Sequence, residues 1–189
     1  DILLTVGDAA IALRLEELDA KKKLPALDPT RKQDKSSTAS AVRTFVWAAR
    51  ALTVTLPDIY ALHEVPSGIA AVHSATPSVA LGPQVLTGRT VQQLAFLAGR
   101  HLTYYRPAHY PLVFFPTLAE LSSLVLSAVR LVIPGISVPP PPDGSSGSRV
   151  TSELGSRLDD AQKKTLEEVV SRLDARGGKL DMLAWIRGV

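Results

Sequence analysis

Apolar residues recur at three- and four-residue intervals in several stretches of the chain, and this spacing places them on one face of an α-helix. Six stretches follow this pattern: residues 8–23, 38–53, 90–105, 117–132, 159–176 and 180–187. Pro25, Pro107 and Pro134 follow three of them, where a proline stops a helix. Thr117 and Glu120 have the spacing of a capping box. The pattern therefore predicts six helices.

The pattern changes to short β-like runs between the second and third predicted helices. These runs are residues 59–63, 69–73 and 78–82. The segment Val65-Pro66-Ser67-Gly68 between the first two has the composition of a turn. We therefore expect a small antiparallel sheet or hairpin packed on helices. The predicted fold class is α+β, mostly α.

A proline-rich linker is the clearest boundary in the chain. Four consecutive prolines and the sequence Asp-Gly-Ser-Ser-Gly-Ser lie within residues 137–149, which we predict to be this linker. Before it we predict an N-terminal helix with a charged connector, residues 1–36, and an α+β core, residues 37–136. Residues 150–189 are predicted to form a C-terminal helix pair.

Composition narrows the function classes. The chain has no cysteine, which excludes disulfides and thiolate metal sites and fits a reducing compartment, so we expect a cytoplasmic protein. The net charge is only +3, and the basic run at residues 21–23 is followed by Asp28 and Asp34, so we expect a solvated connector and no nucleic-acid partner. The longest apolar stretch, residues 121–133, contains serines and Arg130 and is too short to span a membrane.

The segment from Tyr60 to Leu102, with its short runs followed by Leu94-Ala95-Phe96-Leu97-Ala98-Gly99-Arg100-His101-Leu102, resembles the core of the HExxH zinc metallopeptidases called gluzincins. In that family two histidines one helical turn apart bind zinc, and the glutamate after the first acts as the base on the zinc-bound water. The resemblance places Gly99, Arg100 and Thr103 at those positions. It therefore implies a peptidase-like fold without catalysis and without a cofactor.

The amino-acid sequence of residues 94–107 is also similar to a region near the C-terminus of long bacterial tetratricopeptide-repeat proteins. The chain begins at Asp1 and ends just after a helical pattern, so we expect it to be a segment of a longer polypeptide. The two resemblances together imply a non-catalytic protein-interaction or scaffolding domain of a larger bacterial protein. The expected partner is a protein or an extended peptide.

The resemblance also implies particular site residues. In the peptidase family a glutamate from a following helix is the third zinc ligand, and Glu120 is similar in position. We predict that Arg100 takes the place of the metal and pairs with Glu120. The strand at residues 78–82 is expected to be an edge strand that pairs with a peptide. The predicted partner surface consists of Val79, Leu81, Tyr104, Tyr105, His109 and Tyr110.

Two other function classes stay open at this point. One is a divergent metal-dependent hydrolase that uses His101, His109 and Glu120. The other is a structural helical spacer, which would have no pronounced cleft and no exposed strand edge. The aromatic residues near the end of the helix 90–105 are expected to pack in the core. Stacking with nucleic-acid bases is the less favoured reading of those residues.

Overall fold

The structure is a computed structural model, and it describes residues 1–65, 68–138, 148–175, 177 and 181–187. The predicted turn at Pro66-Ser67 and most of the predicted linker lie outside these residues. Contacts between residues divide the chain into two compact units. Unit 1 comprises Asp1–Lys23 and Pro107–Val189, and unit 2 comprises Leu24–Arg106. The N-terminal helix thus belongs to the same unit as the residues from Pro107 onward. The sequence instead predicts a separate N-terminal segment, residues 1–36.

Helices dominate the described residues, and the predicted α+β class, mostly α, is confirmed. The elements in chain order are α1 (Ile2–Ala20), β1 (Lys32–Gln33), α2 (Ser40–Ala51), β2 (Asp58–Ala61), β3 (Ile69–Val72), β4 (Ser78–Leu81), α3 (Pro83–Leu86), α4 (Val91–Leu102), α5 (Pro111–Phe114), α6 (Leu118–Val132), α7 (Ser148–Arg157), α8 (Asp160–Ala175) and α9 (Met182–Arg187). Two short 3₁₀ turns, Pro29–Arg31 and Thr103–Tyr105, complete the described elements.

Unit 1 is a helical assembly around α1. This helix contacts α5, α6, α7 and α8. Because it has neighbours on several sides, it buries more than one face, and Val6, Ala10 and Leu13 are inaccessible to solvent. The core also contains Phe114 from α5 and Leu124 from α6. The many apolar residues of α1 are therefore explained by its central position.

Unit 2 combines a four-stranded sheet with the helix pair α2 and α4. The strand order is β1-β2-β4-β3, in which β2 and β4 are parallel while β3 and β4 are antiparallel. The sheet is therefore mixed, and the predicted hairpin between the first two β-like runs does not form. All four residues of β4 are buried, whereas three of the four residues of β3 are half-buried. A strand this well buried is typical of the interior of a sheet.

The connection from β2 to β3 passes the end of β4. The amide of Leu62 donates to the carbonyl of Leu81, at 2.9 Å, and the amide of Gly82 donates to the carbonyl of Gly68, at 2.7 Å. A Cβ on Gly82 would lie 2.6 Å from the carbonyl oxygen of Val65. Only glycine permits this close approach, so Gly82 is part of the reason that β4 lies between the two earlier strands.

Candidate functional site

The helix that resembles the zinc-binding helix of the peptidases is α4. Thr90 caps it, and Gln93 completes the capping box through its side chain. Of the three positions that correspond to the zinc motif, Arg100 is exposed and the Thr103 hydroxyl donates to the Arg100 carbonyl, at 2.7 Å. At Gly99 no atom lies within 4 Å of where a Cβ would be. Two of these positions therefore carry a guanidinium and a hydroxyl, and the third carries no side chain.

Glu120 lies in unit 1 at the start of α6. Its carboxylate accepts hydrogen bonds from the amide and the hydroxyl of Thr117, at 3.2 and 2.8 Å, which confirms the predicted capping box. The other oxygen lies 3.7 Å from the guanidinium of Arg14. Arg100 belongs to unit 2. Thr117 and Arg14 are thus the partners that the structure gives to Glu120, and its pairing with Arg100 stays a prediction.

The predicted partner surface is wrong at three of its residues. Val79 and Leu81 are 0% exposed, and strands pair with β4 on both sides, so β4 is not an edge strand. Tyr105 is also buried, and its hydroxyl donates to the carbonyl of Ser78, at 2.7 Å. This tyrosine is a core residue, as the packing interpretation of the aromatic cluster predicts. Tyr104, next to it, is exposed.

The two remaining residues of the predicted surface lie in unit 1 and are half-buried. Tyr110 makes an edge-to-face contact with Phe114, with the ring centroids 5.5 Å apart. Burial raises the pKa of Tyr110 to about 12. His109, directly before it in the chain, is half-buried as well. Both residues contribute to the partly buried surroundings of α5.

His101 lies on α4 between two aromatic rings. Its ring centroid is 6.4 Å from that of Phe45 and 5.5 Å from that of Tyr105. Burial lowers the pKa of His101 to about 4, because the surroundings disfavour the charged form. Its Nε2 is buried without a hydrogen-bond partner among the described residues. Among the described residues no three His, Asp or Glu side chains converge as a metal-binding group. His101 belongs to unit 2, whereas His109 and Glu120 belong to unit 1, and the metal-dependent hydrolase that would use all three stays a prediction.

An open groove, which we call the Trp47 groove, lies between α2 and α4 of unit 2. Its volume is about 490 Å³. It is lined by Ser40, Arg43, Thr44 and Trp47 of α2 and by Val91, Gln92 and Ala95 of α4. The side chain of Trp47 is 61% exposed and that of Val91 is 64% exposed. Two large apolar side chains thus stand in solvent on either side of a concave surface.

A second groove adjoins the first on α2. It is lined by Lys35, Ser36, Ser37, Thr38, Arg43, Val46, Trp47 and Arg50, and its volume is about 400 Å³. Arg43 and Trp47 line both grooves. The lining of neither groove contains an aspartate, a glutamate or a histidine. The arrangement therefore offers apolar contact, hydroxyl groups and positive charge.

Sequence reasoning did not identify the Trp47 groove, although α2 contains the necessary signal. The residues buried on this helix include Val42, Phe45 and Ala49, which share one face. Trp47 lies off that face, and a large aromatic residue left out of a buried stripe is a candidate contact residue. Phe96 of α4 is a similar case, since its side chain is 67% exposed.

None of the helices in the described residues is both long enough and apolar enough to cross a bilayer. Comparison with known proteins adds no relative: no family model matches the chain, and neither a curated protein nor a solved structure matches it at a significant level.

Proposed function

We propose that this chain is a non-catalytic protein-interaction domain of a larger, cytoplasmic bacterial protein, and that its docking surface is the Trp47 groove. The observation that carries the proposal is the exposure of Trp47 and Val91 on either side of one concave surface. Tryptophan and arginine are the residues most enriched among those that dominate protein–protein binding energy. Both types are present here, as Trp47 and Arg43.

The distribution of exposed apolar residues supports the same surface. In the described part of unit 2, the large hydrophobic side chains that are exposed are Trp47, Val91, Phe96 and Tyr104. All four lie on α2, on α4 or in the turn that follows α4. Two of the four, Trp47 and Val91, line the Trp47 groove together. Exposed apolar side chains that share one concave surface mark interaction sites more often than scattered ones do, which favours binding over a purely structural role.

The chemistry of the lining supports binding without catalysis. The hydroxyl of Thr44 donates to the carbonyl of Ser40 within α2, at 2.7 Å, so it is engaged in its own helix. Arg43 carries a permanent positive charge and cannot act as a base. The resemblance to peptidases whose catalytic positions are here Gly99, Arg100 and Thr103 is in agreement with this proposal.

The proposal is tested by selecting peptides against the protein. A displayed library of random peptides about 16 residues long, enough for a helix of four turns, is selected on the 189-residue chain and counter-selected on its Trp47→Ala variant. We expect a pool that binds the original chain and loses binding to the variant. The matched control is Leu4→Ala, which removes an exposed apolar side chain from α1 of unit 1. A pool that binds all three proteins equally, or no enriched pool, would contradict the proposal.

A further inference from the structure

The surface around the Trp47 groove is basic. Residues 24–106 contain eight lysines and arginines and four aspartates and glutamates. Two of the four acidic residues are engaged in ion pairs: Asp58 with Lys32, at 2.7 Å, and Glu64 with Arg31, at 3.2 Å. No acidic residue occurs between Asp34 and Asp58 or between Glu64 and Glu120, which are the stretches that contain α2 and α4.

The positive charges lie beside the apolar contact residues. Arg43 lines the Trp47 groove, while Lys35 and Arg50 line the adjoining groove on the other side of Trp47. All three are exposed. Within the described residues no hydrogen bond or ion pair engages the side chains of Arg43 and Arg50, while Lys35 interacts electrostatically with Asp34. A partner that carries carboxylates next to an apolar face would therefore meet complementary charge on this surface.

The N-terminal ends of α2 and α4 add to the positive charge of this surface. Ser40 is the first residue of α2 and Val91 is the first residue of α4, so the groove includes the N-terminal ends of both helices. The N-terminal end of a helix carries a partial positive charge. The N-cap of α2, Ala39, makes no side-chain capping hydrogen bond. Carboxylates near these ends are stabilised by the same interaction that stabilises an acidic residue in the first turn.

The shape of the groove indicates the form of the partner. The residues that α2 contributes, from Ser40 to Trp47, follow the spacing i, i+3, i+4, i+7 and make a strip roughly 10 Å long. The opposite wall is the first turn of α4. A groove between two neighbouring helices is the usual site for an amphipathic helix, which inserts apolar residues at the same spacing.

We infer that the Trp47 groove binds an acidic amphipathic helix of a partner protein, about two to three turns long, whose apolar face contacts Trp47 and Val91 while its flanking aspartates and glutamates face Arg43, Arg50 and Lys35. This inference rests on the proposed function and adds the chemistry of the partner. A nucleic acid is the other polyanion that a basic surface attracts. The apolar lining and the single arginine inside the groove favour the peptide, because binding to nucleic acid depends on many phosphate contacts.

The composition of the selected pool tests the inference. Among peptides whose binding requires Trp47, we expect apolar residues at i, i+3 or i+4 and i+7 with aspartate or glutamate beside them. A Trp47-dependent pool that is neutral, basic or alternating in pattern would overturn the inference and leave the proposed function intact. Absence of any Trp47-dependent pool would instead overturn the proposed function.

A charge-reversal experiment on one synthetic peptide from the pool gives an independent measurement. Calorimetry compares the original chain with the double variant Arg43→Glu and Arg50→Glu, for which we expect the dissociation constant to rise at least about tenfold. The matched control is Arg130→Glu with Arg187→Glu, which changes the net charge equally at two exposed residues of unit 1. An equal loss of affinity in both double variants would contradict a local charge effect.

Two further readouts complete the test. Raising the salt concentration from about 0.05 to 0.5 M is expected to weaken binding several-fold, since exposed charges are screened over a shorter distance. Circular dichroism of the peptide is expected to show added helix in the complex. A single-stranded oligonucleotide of about 20 nucleotides serves as the competing ligand. If the oligonucleotide binds in a Trp47-dependent way and displaces the peptide, the assignment of a protein helix is overturned.

Discussion

At the scale of single residues, His101 couples the stability of the fold to pH. Its imidazole is held between Phe45 and Tyr105, and burial lowers its pKa to about 4 from an ordinary value of 6.5. Between these two pH values the unfolded chain binds a proton that the folded chain does not. Above pH 6.5, neutral His101 makes its whole contribution to the free energy of unfolding. As the pH falls from 6.5 toward 4, the free energy of unfolding decreases by at most about 3 kcal/mol.

The variant His101→Leu checks this coupling. Urea denaturation at a series of pH values from 7.5 to about 4 covers the range in which the histidine titrates in the two states. We expect the stability of the variant relative to the original chain to improve steadily as the pH falls. The control is His63→Gln, which replaces an exposed histidine. Parallel curves for the original chain and His101→Leu would show that His101 does not carry the effect.

A second residue-scale prediction concerns Glu17, a buried carboxylate of α1. Its side chain accepts hydrogen bonds from Arg14, at 2.9 Å, and from Lys21, at 2.7 Å. Burial alone would raise the pKa of Glu17, but the hydrogen bonds from Lys21 and Arg14 outweigh it and leave the pKa below its ordinary value. The charged form is therefore the stable one, and Glu17→Gln is expected to lower the free energy of unfolding by about 2 kcal/mol.

Thermal unfolding at pH 7 measures the effect of Glu17→Gln. Glu168→Gln is the matched control, because Glu168 is exposed on α8. Since exposed substitutions away from special features change stability by no more than about 0.5 kcal/mol, the control should unfold like the original chain. The same melting temperature for both variants would rule out a stabilising role for the Glu17 ion pairs.

At the scale of elements, two glycines of unit 2 have opposite roles. A Cβ on Gly82 would lie 2.6 Å from the backbone oxygen of Val65, where the connection between β2 and β3 passes. Gly99 has open space around it in the last turn of α4. We expect Gly82→Ala to lower the free energy of unfolding by about 1–3 kcal/mol through this contact. We expect Gly99→Ala to raise it by about 0.5–1 kcal/mol, because alanine loses less conformational entropy in a helix.

Chemical denaturation followed by circular dichroism compares the two alanine variants, each of which serves as the control for the other. The pair separates a steric effect from a general effect of adding a methyl group. A midpoint that stayed unchanged or rose in Gly82→Ala would contradict the steric effect at Gly82, and a fall in Gly99→Ala would contradict the open space at Gly99.

The helices could be predicted from the sequence because their signals are local. The capping box of Thr117 and Glu120 and the proline at position 134 lie within a few residues of the ends of α6. Three helices among the described residues were not predicted: α3 and α5, which have only four residues each, and α7. The signal for α7 is present, since Val150, Leu154 and, directly after the helix, Leu158 recur at the spacing of a helical face and are buried. The first residues of α7 fall within the predicted proline-rich linker, residues 137–149, and for this reason the helix was not predicted.

The strand order could not be predicted because its causes are not local. Three short β-like runs are compatible with several arrangements, and adjacent runs pair with one another in most proteins. Here the hydrogen bond between Gly82 and Gly68 and the burial of Val79 and Leu81 place the third run between the first two. The same lack of a local signal explains why β4 was wrongly predicted to be an edge strand. An apolar run fits an edge strand with one exposed face and an interior strand equally well.

At the scale of the whole molecule, unit 1 is built from both ends of the chain. The sequence shows that α1 is amphipathic in part, but it does not show which later helices cover it. That information lies in the shape of the helix surfaces: at Gly7 a Cβ would lie 3.0 Å from the ring of Pro111, and at Gly155 a Cβ would lie 2.9 Å from Leu131. Close approaches of this kind decide which helices pack together and are invisible in a pattern of apolar positions.

The division into two units predicts that damage to α1 stays within unit 1. Leu13 is 0% exposed in the core of that unit, so Leu13→Asp places an unpaired carboxylate among apolar side chains and should unfold the helices around it. We expect hydrogen exchange measured by mass spectrometry to show rapid exchange in α6, α7 and α8. Amides of α2 and α4 should keep the protection they have in the original chain, because these two helices pack on each other within unit 2. Leu4→Ala, an exposed change on the same helix, should leave exchange unchanged throughout.

Loss of protection in α2 and α4 together with unit 1 would show that the two units unfold as one. In that case, variants of the Trp47 groove would have to be judged against the stability of the entire chain, because binding and global unfolding would be coupled.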